Sequence, residues 1–392
     1  MQCIRVIPII ADNIVQKIHI LTRDRRIDFN VFARGYKTTI YDAEKAIKKV
    51  ISVIESAVAG GCQLVFYNWR GWLRATRKYA NSNFWHNHNI FDTVERFDES
   101  DVEALIQHVF SIDPKPWMNV YANAAIAYER LEQSPILVDG FRYSSVWDYD
   151  SYSGRSKSHN RPLQNLEDGV FLADPNNITR TKIITVDWKA ADLIIAAYLS
   201  GDSELVKRIS ETDIYTEPEF AGIAETRQGV KTAILSALYK ADSDALAALS
   251  FKLAEWVQRQ MTLVKENAEI ESCFGRVFHK HAGRSELSIF NAQIQGCIAL
   301  AMMNSVPKVQ MVSGSSMLFE THDAITVAAS PDMAAQVLKN ICKIMYTPFG
   351  DLMTINGMDV IMPVSFMCGD RYGSKTASGT FDDGKIKLKK TS

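Results

Sequence analysis

Residues 316–330 read SMLFETHDAITVAAS, and the way this stretch folds decides how the rest is arranged. Apolar and β-branched residues alternate with small polar ones on both sides of Thr321-His322-Asp323. That pattern predicts a strand, a turn and a second strand. Aspartate is an ordinary turn residue, because its carboxylate bonds nearby backbone N–H groups. At a hairpin tip it is equally a metal ligand, provided a second carboxylate can reach it.

Asp187 supplies a second carboxylate. It closes the β-branched run Ile183-Ile184-Thr185-Val186 just where the helical stretch KAADLIIAAYLSGD begins. Two acids on neighbouring strand ends could share a pair of divalent cations. Such a site holds its ions about 3.5–4 Å apart and steadies both the attacking and the leaving oxygen. Magnesium suits it, since it takes carboxylates together with substrate phosphate oxygens. Two unrelated aspartates at strand ends would give the same pattern.

Residues 227–240, RQGVKTAILSALYK, bear on the choice. Arg227, Lys231, Leu235 and Tyr239 recur every four residues and share one helix face. Basic at one end and aromatic at the other, that face suits a nucleoside triphosphate. Arginine and lysine grip phosphates, and tyrosine stacks on a base. A solvated amphipathic helix with Tyr239 in the core is the other reading.

The 392-residue chain is 47% hydrophobic and 23% charged, as a globular protein of two or three domains is. Its net charge of −1 excludes the strongly basic balance of many nucleic-acid binders, so any such contact needs local basic patches. None of the six cysteines forms a CxxC pair, so neither a zinc site nor a disulfide framework is expected. No apolar run reaches the roughly 18 residues of a membrane span. The N-terminal MQCIRVIPIIADNIV lacks the apolar core and cleavage site of a signal peptide. A reducing, cytoplasmic location without membrane contact is the expectation.

Strands are expected at IRVIPII, KIHILT, FNVFARG, CQLVFYN, KIITVDW, MTINGMDVIM and PVSFMCGD. Helices are expected at YDAEKAIKKVISVIESAVAGG, DVEALIQHVF, NVYANAAIAYERLEQ, DALAALSFKLAEWVQRQMTLVKENAEIES, ELSIFNAQIQGCIALAMMNSV and PDMAAQVLKNICKIMY. Residues 141–182 are polar and turn-rich, a loop or ribbon. The tail DDGKIKLKKTS is expected to be loose.

Taken in order, these elements resemble family A DNA polymerases, the family of bacterial DNA polymerase I and several phage replicases. VDWKAADLIIAAYLSGD is similar to the family's first palm motif, with Asp187 on its metal-binding aspartate. RQGVKTAILSALYK, preceded by Asp213-Ile214-Tyr215, resembles the O-helix of the fingers. His322-Asp323-Ala324 resembles the third motif, His-Asp-Glu. SGRSKSHNRPLQN resembles the primer-contacting stretch, CFGRVF the turn after the fingers and NAQIQG the helix that reads the minor groove. PVSFMCGDRYG resembles the family's last strand.

The resemblance implies an α+β right hand of antiparallel palm and helical fingers behind a small α/β ribonuclease H-like domain. It implies a degenerate 3′–5′ exonuclease-like domain at 1–110 and a thumb remnant or connector at 111–150. The palm would follow at 151–202, the fingers at 203–289 and the second part of the palm at 290–392. It implies template-directed extension of a primer with dNTPs on two Mg²⁺ ions, Mn²⁺ being the alternative. Asp187 and Asp323 would be catalytic metal ligands, and the Trp188 carbonyl a further ligand. Arg227, Lys231, Leu235, Tyr239 and Asp192 would line the nucleotide. Arg155, Gln164, Asn165, Arg276, Asn291, Gln295 and His322 would contact DNA.

The sequence departs from the family at several points. Ala324 replaces a glutamate, Asp192 a glutamate that helps exclude the ribose 2′-hydroxyl, and Ile194 an arginine. Leu235 replaces an aromatic and Lys240 a glycine. Only a short stretch separates Asp139 from Gly154-Arg155, so the thumb is expected to be nearly absent and a processivity or replisome protein to stand in for it. Trp72 and Leu73 lie where an exonuclease acid belongs, and Asp92 alone cannot hold two metals, so no proofreading is expected. His86–Asn89, HNHN, reads as a polar loop. The compact form suggests a viral or phage source. A ribonucleotide-tolerant primer-making or gap-filling enzyme, and a weak palm serving as a replication or DNA-binding subunit, stay open as alternatives.

Overall fold

The computed structural model describes residues 3–11, 14–21, 26–30, 40–60, 62–76, 90–92, 113–148, 151–159, 163–220, 222–280, 284–374 and 376–389. The helix expected at 101–110 and the loop expected at 86–89 lie outside them. The architecture is α+β, and its contacts divide it into Met1–Gln133 and Ser134–Ser392.

In the first unit, β1 (Cys3–Ala11), β2 (Ile14–Leu21) and β3 (Arg26–Asn30) form an antiparallel meander. Helix α1 (Ile40–Ala59) then leads to β4 (Gln63–Phe66), which returns parallel to β1. After α2 (Trp69–Thr76), β5 (Ile90–Asp92) adds parallel to β4, and the sheet order is β3-β2-β1-β4-β5. Helix α3 (Pro116–Gln133) completes the unit. Trp69 and Trp72 of α2 are fully buried, and the Trp69 indole N–H donates to the Ala122 carbonyl of α3 at 3.1 Å. Arg70 and Arg74 both hold the Glu132 carboxylate, at 2.5 and 2.7 Å. These bonds are why residues 116–133 belong with the first unit.

The second unit opens as a ribbon: β6 (Ile136–Val138) with β7 (Phe141–Tyr143), then β8 (Val146–Asp148) with β9 (Lys157–His159). β10 (Leu172–Ala173) pairs back on β6. Strand β11 (Lys182–Trp188) turns sharply into α4 (Ala191–Ser200), and α5 (Ser203–Glu211) follows. The LSGD stretch makes that second junction. Gly201, at φ 70°, donates its N–H to the Tyr198 carbonyl, a left-handed cap that glycine adopts without strain. Asp202 accepts from the Leu205 N–H to cap α5, and also takes the hydroxyl of Ser250, itself the cap of a later helix.

Helices α6 (Arg227–Tyr239), α7 (Ser243–Ala247) and α8 (Phe251–Asn267) come next. The long helix expected over 244–272 is therefore broken: Ser250, in extended backbone, caps α8, and residues 269–271 are a strand. β12 (Glu269–Glu271) and β13 (Val277–His279) form a hairpin ahead of α9 (Glu286–Gln310). α9 runs past Pro307, which lies in its final turns, where one missing backbone bond leaves buried Val306 and Val309 in place.

β14 (Ser315–Thr321) and β15 (Ala324–Ala329) are the expected hairpin. α10 (Ala334–Tyr346) follows. MTINGMDVIM is not one strand but β16 (Thr354–Ile355) and β17 (Met358–Asp359), joined by Asn356-Gly357 at φ 50° and 75°. Asn-Gly favours that two-residue turn because both positions tolerate positive φ. β18 (Val364–Gly369), β19 (Ala377–Asp382) and β20 (Lys385–Leu388) end the chain. Within the tail, Lys385–Leu388 is thus an ordered edge strand: Lys387 pairs with Asp382 at 2.7 Å, and backbone pairing from Gly379 to Asp382 holds it. The central sheet is antiparallel, in the order β14-β15-β11-β18-β19-β20. Among the described residues no helix is long and apolar enough to cross a membrane.

Candidate active site

β11 lies between β15 and β18, and its register puts Asp187 opposite Ala324 on one side and Ser365 on the other. Asp323 is the residue before Ala324, at the hairpin tip. The Trp188 N–H donates to the Asp323 carbonyl at 3.0 Å, tying the tip to the end of β11. Both aspartates stand beside strained backbone: His322 has φ 44° and Ala190 φ 50°. A left-handed non-glycine residue costs about 1–2 kcal/mol. Ala190 has no side-chain cap, and its conformation makes the sharp exit from β11 into α4.

Burial first, and then the charge of Asp323, push the Asp187 carboxyl up to about 8, against the opposing charge of Lys231. Asp323 is raised as well, by burial and by Asp192, while Arg155 and Lys231 pull it down. Asp323 is solvent-accessible yet crowded by protein, as a group on a cleft floor is. Among the described residues neither carboxylate forms an ion pair, so Lys231 offsets their repulsion only from a distance. Two crowded hard-oxygen donors without an ion-pair partner among the described residues fit a divalent cation. Among the described residues no three His, Cys, Asp or Glu side chains form a metal group, so the donor set stops at two carboxylates. That is the set for a cation that keeps water and phosphate oxygens as its other ligands. Trp188 can add only backbone oxygen, because its ring is buried and its indole N–H donates to the Met345 carbonyl at 2.7 Å.

Helix α6 buries Val230, Ile234 and Leu238, which leaves Arg227, Lys231, Leu235 and Tyr239 on the adjoining, more open face. The Thr226 hydroxyl accepts from the Gly229 N–H and caps the basic end. Arg227 is exposed and held by both oxygens of Asp213, at 2.7 and 3.2 Å, over the Tyr215 ring. Lys231 bears on both aspartates. Tyr239 is half-buried beside Asp192 and Gln295; burial and the charge of Asp192 hold its pKa far up. Tyr239 is therefore not a plain core residue.

Asp192 also accepts from the Arg155 guanidinium at 3.2 Å. His322 is exposed; burial of its surroundings, Arg155 and Lys157 lower its pKa, against Asp192. Asn291 and Gln295 lie one turn apart on α9, and Asn291 donates to the Tyr239 carbonyl at 3.0 Å. Arg155, Asp192, Tyr239, Asn291, Gln295 and His322 thus form one polar arc beside the aspartates. Gln164 lies under the hairpin, donating to Glu320 at 3.4 Å and accepting from the Ser158 N–H at 3.2 Å. Asn165 is exposed. Arg276 points inward: it is buried, donates to the Tyr152 carbonyl at 3.2 Å and lies over the Phe278 ring. In this structure it braces the 151–155 segment.

Two contacts escape a reading by motif. Glu320 is fully buried beneath the hairpin and accepts from Ser156 and Gln164. Asp213 anchors Arg227. An acid on the inward side of an otherwise apolar strand was the available signal for Glu320. Nothing in the sequence spacing pairs Asp213 with Arg227 across the intervening turns.

No family model matches the chain. Over 203 residues it is 24% identical to "DNA polymerase I, thermostable" of Thermus aquaticus, covering 42% of this chain and 24% of that protein. Over 195 residues it is 24% identical to the protein of the same description from Thermus thermophilus, covering 40% and 23%. The chain thus spans about a quarter of the length of the curated relatives it matches. Among solved structures, the POL domain of Pol1 from M. smegmatis, in complex with DNA primer-template and dNTP, is similar with a TM-score of 0.58. That likeness covers 94% of this chain and 95% of the other at 12% identity, and it establishes that the two share a fold.

Proposed function

We propose that the chain is a template-directed DNA polymerase of family A type that adds dNTPs to a primer 3′ end. The observation that carries this reading is the placement of Asp187 and Asp323 on adjoining strands, faced by Lys231 and flanked by the Arg155–Asp192–Tyr239 arc. Mg²⁺ held by the two carboxylates and the Trp188 carbonyl would activate the primer hydroxyl and support the charge of the transferring phosphoryl group. Lys231 meets the triphosphate from the α6 side, and Arg227 joins it by exchanging Asp213 for phosphate. Tyr239, whose carbonyl accepts from Asn291, borders the nascent base pair. Asn291 and Gln295 present amides to the minor groove, whose acceptors check pair shape more than sequence.

The strand order β3-β2-β1-β4-β5 supports a ribonuclease H-like reading of the first unit. Buried Trp72 and Leu73 at its catalytic end support the absence of proofreading. Short hairpins, rather than long helices, occupy the described residues between 134 and 159, which supports a polymerase with little thumb. Asp192 favours a second reading, a ribonucleotide-tolerant enzyme, because it is one methylene shorter than glutamate.

The test is primer extension by wild type, Asp187→Ala and Asp323→Ala, in Mg²⁺ and in Mn²⁺, with dNTPs and with rNTPs. Extension that depends on both aspartates is expected. Activity that survives both substitutions would overturn the proposal.

A further inference from the structure

Cys273 and Cys297 have sulfurs 2.9 Å apart. A disulfide bond is about 2.05 Å long, so closing one here needs a shift of about an ångström. Cys273 is exposed in the turn between β12 and β13, whereas Cys297 is wholly buried in α9, two residues past Gln295.

Packing, not chance contact, holds the two together. Ile270 and Phe278 of the hairpin share a cluster with Val264 of α8 and Ile289 and Ala292 of α9, and Phe274 packs against it. Gly296 permits the approach: a Cβ there would lie 2.8 Å from the Phe278 Cζ. The Gln293 amide donates to the Glu271 carbonyl at 3.0 Å and fixes the hairpin against the helix. An oxidant can therefore reach one sulfur from solvent, with the second already seated behind it.

We propose that Cys273 and Cys297 are a reversible redox-modification site, which a low-molecular-weight disulfide converts into an internal bridge. The Cys273 thiolate attacks R–S–S–R, forming Cys273–S–S–R and releasing RS⁻, which takes up the proton Cys273 gave. The Cys297 thiolate then attacks the Cys273 sulfur, forms the internal bond and releases the second RS⁻, protonated in the same way. The protein dithiol loses two electrons and two protons, and R–S–S–R becomes two R–SH. Contact with the Cys273 thiol and burial hold the Cys297 thiol well above its usual pKa in the reduced protein. The bridge staples the β12–β13 turn to the helix that carries Asn291 and Gln295.

The test treats the reduced full chain with oxidised glutathione and reads intact mass and non-reduced peptide maps, so its outcome is independent of polymerase activity. Wild type is expected to lose two hydrogens, give a peptide pair joined through Cys273 and Cys297, and revert with dithiothreitol. Cys297→Ser is expected to stop at a glutathione adduct on Cys273. Cys273→Ser, at an exposed position, is expected to keep the wild-type melting temperature and form no bridge. A stable adduct on wild-type Cys273 without a bridge, bridging through other cysteines instead, or no reaction at Cys273 would each overturn the proposal.

Discussion

The Asp192 carboxylate accepts from the Arg155 guanidinium at 3.2 Å, and its charge is felt by the Tyr239 hydroxyl at the end of α6. One short side chain therefore ties the segment before β11 to the first turn of α4. Asp192→Ala leaves the Arg155 guanidinium without this acceptor, and a bond to a charged group contributes about 1.5–3 kcal/mol. On the proposed reading, kcat/KM for dNTP is expected to fall by about tenfold to a hundredfold. Tyr239→Phe keeps the ring, removes only the hydroxyl near Asp192 and is expected to cost only a few-fold.

Sugar selection follows from the length of the same residue. Wild type is expected to accept rATP more readily, relative to dATP, than Asp192→Glu does. Steady-state incorporation of the two nucleotides decides it, and strict exclusion of rATP by wild type would refute the idea.

The crowded aspartates make a prediction that needs no turnover. Removing one of two repelling charges costs the fold nothing, so Asp187→Asn and Asp323→Asn are expected to melt no lower than wild type in chelator. Millimolar Mg²⁺ is expected to raise the melting temperature of wild type but not of the double variant, because a ligand stabilises only the state that binds it. Ala324→Glu adds a third carboxylate directly across from Asp187. It is expected to destabilise the chelated protein by about 1 kcal/mol, with Mg²⁺ reversing the loss.

His19 sets a pH dependence in the first unit. It is fully buried, and its Nδ1 lies 2.7 Å from Asp28. Burial lowers its pKa from 6.5, with Lys17 and Arg26 adding to that and Asp28 opposing it. The unfolded chain therefore binds the proton more readily. The stability His19 contributes is fully present above pH 6.5 and is lost as pH falls through the acidic range. Urea melts at pH 7.5 and 5.5 are expected to show the loss, at up to about 1.4 kcal/mol per pH unit. His19→Gln is expected to flatten it.

A polymerase without a thumb has little with which to grip duplex product. Single-turnover extension with a DNA trap is expected to stop after a few additions. Long products made in the presence of trap would count against the proposed lack of a thumb.

The hairpin at Thr321-His322-Asp323, β11 and the α6 stripe were legible because alternation and four-residue spacing are local signals. The break at Ser250 was not: apolar periodicity runs through it, and the deciding bond comes from Asp202, far away in sequence. The strand at Lys385–Leu388 was hidden by its charges, which an edge strand tolerates on its open side. The Asn-Gly pair at 356–357 is a turn signal that outweighs the apolar run on either side of it. The bond from Arg276 to the Tyr152 carbonyl was not legible, because only the fold brings these two distant residues together.

Neither neighbour of β11 is an edge. β15 grips it from Lys182 to Asp187, and β18 from Ile183 to Trp188. A slip of one residue against either would turn Asp187 to the opposite face and carry Trp188 out of its pocket. Errors in the spacing of the two acids are thus quantised: the strand is either in register, with the carboxylates together, or a whole residue out, with no site at all. Mutations far along β15 or β18 should therefore leave the spacing of the two carboxylates intact up to the point where they abolish it.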